Sequence, residues 1–244
     1  MQQVSAVEGA RAIEHRLLAL ANPTIAAHSQ RFFKTGPGGY GEGDRFLGIR
    51  VPVLRAQLTQ FRDLPLDAVF LALRSPWHEV RLVALHLLVV RSAKASPPLR
   101  TEIMQRYLAM TAWINNWDLV DSSAPGVVGG ALPQGERGLL RELARSPSLW
   151  ERRIAIIATL HFIRQQQFDD CLDIAEMLLH DRHDLIHKAV GWMLREVGKR
   201  NQAVAEGFLR RHSHAMPRTM LRYAIERYPQ PLRQAYLSAS APRD

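Results

Sequence analysis

The sequence predicts an all-α fold of stacked helical repeats, and three observations support that prediction. A basic residue opens an apolar run at regular intervals, apolar residues recur at helical spacing within the runs, and proline-containing breakers separate them. No segment shows the strict alternation of apolar and polar residues that is typical of a half-buried strand. The period of the repeat then indicates which kind of all-α fold to expect.

The recurring positions are 81, 117, 153, 188 and 222, at intervals of 36, 36, 35 and 34 residues. Arg81, Arg153, Lys188 and Arg222 each open an apolar run, whereas Trp117 occupies the second position. A period in the mid-thirties with two helix-length segments per unit is typical of HEAT or tetratricopeptide repeats. We therefore predict HEAT-like repeats that stack into a curved α-solenoid.

Apolar spacing and breakers together give each predicted element its approximate bounds. Helical segments are predicted over 80–90, 154–163, 171–179 and 185–197. Connections or helix starts are predicted at 75–76, 96–98, 124–125, 146–147 and 216–217. We expect a single domain over 1–237 and a disordered tail at 238–244.

Basic residues dominate the charge, since 32 Lys and Arg against 23 Asp and Glu give a net charge of +9. Only four of them are lysine, and the planar fork of arginine suits bidentate binding of phosphate. Stacked repeats would align their basic residues along a concave face, which predicts a nucleic-acid partner. Two alternatives stay open: a GC-rich genome enriches arginine, and Glu79, Glu151 or Asp184 could pair with the arginines.

The composition also excludes several classes of protein. No apolar run approaches the roughly 18 residues that a membrane span needs, so no membrane association is expected. The segment Met1–Glu8 has neither the basic head nor the apolar core of a secretory signal, which predicts a cytoplasmic protein. The single cysteine, Cys171, excludes an internal disulfide and lies in the apolar period of its helix, so we expect it in the core.

Two patterns imitate ligand sites. The segment 36–41 satisfies G-x-G-x-x-G, but no strand precedes it and no apolar helix follows, so we predict a connecting loop. His180, His183 and His187 lie at helical spacing, but a turn at 181–184 would break their shared face. We therefore predict no metal and no cofactor.

The segment that begins at Trp113 is the candidate site. In a helix, Trp117 and Asp121 would share a face, with Trp113 and Asp118 each one turn from one of them. An indole face beside a carboxylate can stabilise a cation that develops in a dry site, such as the oxocarbenium ion of glycoside cleavage. The alternative is that one aspartate caps a helix beginning near Ser122 while the indoles fill the core.

Three elements of the sequence, in this order, resemble the AlkD-like DNA alkylation repair glycosylases. The likeness extends from about residue 25 to about residue 225, with further similarity at 31–34 and 46–48. Its most specific elements are N-W-D-L-V-D at 116–121, W-E-R-R-I-A-I at 150–156 and K-A-V-G-W-M-L-R-E at 188–196.

The resemblance implies HEAT-like repeats that wrap duplex DNA and remove purines alkylated at N3 or N7, without flipping the base. It implies that Asp121 is the catalytic carboxylate, that Trp117 and Trp192 contact the deoxyribose, and that Arg153 binds phosphate. Phe32 stands where some members of the family have tyrosine, and we expect it to contact DNA without a hydroxyl group.

Further DNA contacts are expected from the remaining basic positions of the repeats, Arg81, Lys188 and Arg222, and from Trp113. Gly191 should let another surface approach closely at the point where the indole of Trp192 projects. We expect a monomer that associates with the nucleoid when it is bound to DNA.

A cationic leaving group needs no strong general acid, so one carboxylate can suffice and Asp118 is predicted to be structural, pairing with a neighbouring helix. Because lysine is scarce, a monofunctional hydrolase is predicted rather than a lyase that forms a Schiff base. The alternatives are a HEAT-like module that binds DNA or a DNA structure without catalysis, and a protein-binding scaffold.

Overall fold

The fold was obtained as a computed structural model, and the structure describes residues 5–133 and 137–239. Within these ranges the chain is helical and contains no strand, apart from an isolated bridge between Arg45 and Trp77. The all-α prediction is therefore confirmed. The chain forms two compact units, Met1–Ser123 and Ala124–Asp244, whose boundary falls inside one helix.

The first unit contains six complete helices within the described residues, a 3-10 turn at Thr111–Trp113 and the start of a seventh helix. The helices are α1 Ala6–Leu18, α2 Pro23–Phe32, α3 Val51–Phe61, α4 Leu66–Ala72, α5 His78–Lys94, α6 Pro97–Leu108 and α7 Trp117–Val127. Helix α5 packs against α1, α3, α4 and α6, and most of its residues are buried. A helix that is apolar on most of its faces belongs in the centre of a unit, and α5 occupies that place.

The second unit begins within α7, continues through a 3-10 turn at Gly129–Ala131 and ends with α15. Its helices are α8 Gly138–Ala144, α9 Leu149–Ala158, α10 Leu160–Ile163, α11 Asp169–Met177, α12 Asp184–Gly198, α13 Gln202–His212, α14 Arg218–Ala224 and α15 Gln230–Ala239. Helix α12 is central and packs against α9, α11, α13 and α14. The thiol of Cys171 is buried in this core, as predicted, and burial raises its pKa to about 12.

The close approach predicted at Gly191 is confirmed. A Cβ atom placed on Gly191 would lie 2.4 Å from the carbonyl oxygen of Met220 and 2.5 Å from the Cβ of Tyr223, both on α14. Glycine is therefore required where α12 and α14 touch, because any side chain would push the two helices apart.

The proline-containing breakers were correct at four of the predicted places and wrong at the fifth. The segments 75–76, 146–147 and 216–217 separate helices, and 96–98 starts α6. Pro125, by contrast, lies inside α7, which continues to Val127. Proline lacks the N–H that would donate to the preceding turn, and its ring crowds the carbonyl group there. Only two helical residues follow Pro125, so the distortion comes at the end of α7 and the helix still reaches Val127.

Ser238 and Ala239, which were predicted to belong to a disordered tail, continue α15, and the remaining predicted tail residues, 240–244, lie outside the described residues. The single domain, the curvature of the solenoid and its basic concave face stay predictions. None of the helices in the described ranges is both long and apolar enough to cross a bilayer.

Candidate active site

Helix α7 brings Trp117 and Asp121 together. The helix begins at Trp117, whose backbone N–H donates to Oδ1 of Asn116 at 2.9 Å. Both side chains line a cavity of about 270 Å³, together with Asp118 and Ser122. The predicted pairing of indole and carboxylate is therefore confirmed, and the alternative of a helix that begins near Ser122 is wrong.

Trp113 does not share this helix. It ends the 3-10 turn, and Ile114 follows with φ −104° and ψ 55°, which is not a helical conformation. The predicted place of Trp113 one turn before Trp117 on the same helix is therefore wrong. Its side chain is 39% exposed, so it stays available for an external contact.

An aromatic stack supports the indole of Trp117 from behind. Phe33 stacks on Trp117 with ring centroids 5.3 Å apart, Phe46 stacks on Phe33 at 5.0 Å, and the imidazole of His78 stacks on Phe46 at 4.4 Å. Phe32 lies at the outer end, edge-on to Trp117 at 6.1 Å and 58% exposed. The stack fixes the orientation of Trp117 and leaves Phe32 as its exposed member.

His78 joins two carboxylates behind the cavity. Its Nδ1 lies 3.0 Å from Oδ2 of Asp44, and its Nε2 lies 2.8 Å from Oδ2 of Asp118. Burial lowers the pKa of His78, but the charge of Asp118 and the hydrogen bonds with both carboxylates outweigh it and raise the pKa to about 9. Asp118 thus pairs with the neighbouring helix α5, as predicted, while its purely structural role stays a prediction.

Arg81 belongs to the same buried network. Arg81 is 3% exposed, and its guanidinium forms an ion pair with Asp44 and donates to the carbonyl oxygen of Ser75 at 3.2 Å. The predicted DNA contact is not supported for Arg81, because its donors face the interior. The open alternative was that Arg81 pairs with an acid, and it does, but the acid is Asp44 and not Glu79. Glu79 instead accepts hydrogen bonds from the backbone N–H groups of residues 47–49.

Besides the apolar Val51 and Leu82, two residues with titratable side chains also line the cavity of Trp117 and Asp121, and sequence reasoning missed both. Arg55 on α3 is exposed at the cavity, and His86 on α5 is 9% exposed. Burial is the main cause that lowers the pKa of His86, and the charge of Arg55 lowers it further against the opposing charge of Asp118. The only sequence signal was the spacing of His78 and His86, which puts both on one face of α5.

The remaining predicted contacts lie in the second unit. Arg153 is buried and donates to the backbone carbonyl of Leu185 on α12. Lys188 pairs with Asp184 at 2.7 Å, with both side chains partly exposed. The indole of Trp192 is half-buried, and Nε1 donates to Oε1 of Glu196 at 3.3 Å.

Arg222 on α14 is exposed. The contacts that these second-unit residues were predicted to make with DNA stay predictions.

The two patterns that imitate ligand sites have other surroundings in the described chain. The segment 36–41 lies in a loop with no strand before it and no helix directly after it. His183 caps α12 by accepting the N–H of Leu185, and His187 contacts the carbonyl of Asp181. Among the residues of the two described ranges, no three potential ligands converge on a point that could hold a metal ion.

Comparison with known proteins gives a family match and a fold match. The sequence model of a family described as DNA alkylation repair enzyme matches residues 13–228. The chain is also similar to the solved structure of a predicted DNA alkylation repair enzyme from Enterococcus faecalis, with a TM-score of 0.66 and 19% identity. That match covers 86% of this chain and 97% of the other, and at this identity it shows the fold alone. No curated protein matches the sequence significantly.

Proposed function

Because the chain belongs to the DNA alkylation repair enzyme family, we propose that it hydrolyses the N-glycosidic bond of purines alkylated at N3 or N7 in duplex DNA. The observation that carries the proposal is the cavity in which Trp117 and Asp121 lie side by side. A carboxylate and an aromatic face are the groups that a reaction with a developing sugar cation needs.

The positive charge of the alkylated base explains why so small a set of groups suffices. When the C1′–N bond breaks, its electron pair neutralises the base, which leaves without protonation by a general acid. The positive charge passes to C1′ and O4′ of the sugar, where Asp121 and the π-face of Trp117 stabilise it. Water then completes the hydrolysis.

We propose a monofunctional enzyme. A lyase that cuts the strand needs an amine to form a Schiff base with the sugar. None of the four lysines of the chain is among the described residues that line the cavity.

The proposed grip on DNA combines aromatic and basic side chains. In the first unit Phe32 and Trp113 offer exposed rings, and Arg55 offers a guanidinium beside the cavity. Among the residues proposed in the second unit, Lys188 and Arg222 are more exposed than Arg153. Arg153 and Trp192 are proposed from the family resemblance. The partner is duplex DNA that contains alkylated bases, bound by a monomer.

The test is the release of free base from methylated duplex DNA, measured by chromatography for the wild type and for Asp121→Asn. We expect release by the wild type and a rate at least about 100-fold lower in Asp121→Asn, the usual cost of removing an electrostatic stabiliser. Affinity for DNA should be unchanged or higher, because the substitution keeps the shape of the side chain and removes a negative charge that repels phosphate.

Asp63→Asn is the matched control, because Asp63 is an exposed carboxylate of the same unit that pairs with Arg62 away from the cavity. It should release base at the wild-type rate. If the wild type bound duplex DNA but released no base, the non-catalytic DNA-binding module would replace the enzyme. Equal release by the wild type and Asp121→Asn would remove the role of Asp121.

A further inference from the structure

His86 is a buried titratable group at the cavity that the proposed mechanism leaves unused. It follows His78 and Leu82 at four-residue spacing, so the three side chains lie along one face of α5. The imidazole is about nine-tenths buried and lines the same cavity as Trp117 and Asp121.

The imidazole of His86 differs from that of His78 in its hydrogen bonds. Both nitrogens of His78 have carboxylate partners, whereas Nε2 of His86 is buried and has no hydrogen-bond partner within the described chain. A buried nitrogen without a partner costs stability, so evolution rarely keeps one without another benefit. A ligand or a water molecule in the cavity could supply the missing hydrogen bond.

The surroundings of His86 favour the neutral imidazole. Arg55 lines the cavity with it from α3, and Asp118 and Asp121 line the cavity from α7. His78, on the same helix as His86, is hydrogen-bonded to its two carboxylate partners. Burial and the charge of Arg55 hold the pKa of His86 below its usual value of 6.5. At neutral pH the ring therefore has a nitrogen that can accept a proton.

We propose that His86 is the general base of the hydrolysis, and that it accepts a proton from the water molecule that adds to C1′. The inference rests on the proposed glycosylase function. The C1′–N bond breaks and its electron pair stays on the base, the water oxygen forms the new bond to C1′, and one water proton moves to the imidazole. The imidazolium then returns the proton to solvent, so no further reactant is required.

This role complements that of Asp121. A carboxylate that stabilises the sugar cation has to keep its charge through the reaction, and it does so best when another group removes the water proton. The cavity places one group of each kind on two helices, Asp121 on α7 and His86 on α5.

The test measures single-turnover release of methylated base, corrected for spontaneous loss, in His86→Leu and His86→Gln. We expect a rate about 100-fold lower in both, the lower range for a positioned general base, with unchanged affinity for DNA. His15→Gln, at an exposed histidine of α1, is the matched control and should keep the wild-type rate.

Two readouts separate catalysis from a structural role. His86→Leu removes a buried nitrogen without a partner, so its melting temperature should equal or exceed that of the wild type while its activity falls. The wild-type rate should also fall as the pH drops through a value below 6.5, where the imidazole becomes charged, and His86→Gln should lack this fall.

Each outcome decides the matter. If the wild type released base and both variants released it equally fast, the role of His86 would be overturned. The proposed glycosylase function would then remain supported. A slow, less stable His86→Leu beside a fully active His86→Gln would overturn it in favour of packing. A wild type that releases no base would remove the proposed function itself, and the role of His86 with it.

Discussion

A single histidine connects the side chains that position the candidate site. His78 bridges Asp44 and Asp118, while Arg81 pairs with Asp44 and Asn116 donates to it at 3.3 Å. The buried carboxylate of Asp44 and the partly buried one of Asp118 would repel each other without a cation between them, and the protonated imidazole of His78 donates an N–H to each. The network thereby ties the first turn of α7, which carries the catalytic candidates, to α5.

The raised pKa of His78 predicts that the folded protein becomes less stable as the pH rises into the alkaline range. The folded value of about 9 lies above the unfolded value of 6.5, so protonation contributes roughly 3 kcal/mol that is fully present below about pH 6.5. This contribution is lost as the pH rises through about 9. Chemical unfolding measured between about pH 6 and pH 10 should show the decline.

His78→Gln should unfold more easily at neutral pH, by about 3 kcal/mol, because Asp118 loses its charged partner and Asp44 keeps only Arg81. Its stability should change less than that of the wild type over the same pH range. An equally steep decline in the variant would assign the pH dependence to other groups.

Helix α12 shows how packing between elements constrains the sequence. Gly191 lies against the backbone of α14, and because glycine has no side chain the two helices can touch next to Trp192. Helix α7 is constrained differently: Ser123 bonds with the hydroxyl group of Tyr107 at 2.8 Å, and Leu119 and Val120 are fully buried. Both elements therefore hold their candidate site residues on helices that are fixed by packing.

Gly191→Ala should destabilise the protein by about 1–3 kcal/mol, because the added methyl group overlaps the carbonyl oxygen of Met220. Gly207→Ala in α13 is the matched control. A Cβ there meets nothing nearer than Arg210 at 3.8 Å, so the exchange should be neutral or stabilise by about 0.5–1 kcal/mol. Thermal unfolding of both variants measures the difference, and equal melting temperatures would contradict the close packing of α12 on α14.

At the scale of the whole molecule, only some of the basic residues behind the net charge of +9 are exposed. Arg81 and Arg153 place their guanidinium groups in the interior, where they bond to protein groups. Arg55 and Arg222 are exposed and remain the stronger candidates for phosphate. A regular repeat of basic residues in the sequence therefore serves two purposes, internal bonding and surface charge.

Arg55→Ala should weaken binding to undamaged duplex DNA and lower the slope of log K against log salt concentration by about 1, the value for one phosphate contact. Arg62→Ala is the matched control, since Arg62 is exposed but pairs with Asp63. Fluorescence anisotropy at several salt concentrations measures both slopes. An unchanged slope in Arg55→Ala would place this guanidinium outside the DNA contact.

Much of the fold and part of the site could be predicted from local pattern. Helical spacing gave the segment 80–90 in α5 and 185–197 in α12, and four-residue spacing gave the shared face of Trp117 and Asp121. The family inferred from the motifs is confirmed. These features depend on residues near one another in the chain, so the regular geometry of a helix is enough to place them.

The sequence by itself determined the helical class, the family and the pairing of indole with carboxylate on α7. Only the tertiary structure decided that Arg81 turns inward to Asp44, that Phe33 stacks under Trp117, and that His86 meets the cavity of Asp121. Each of these contacts joins residues more than 30 positions apart, and nothing in local spacing specifies them. They arise because buried charges and rings must find partners in whichever helices packing brings beside them.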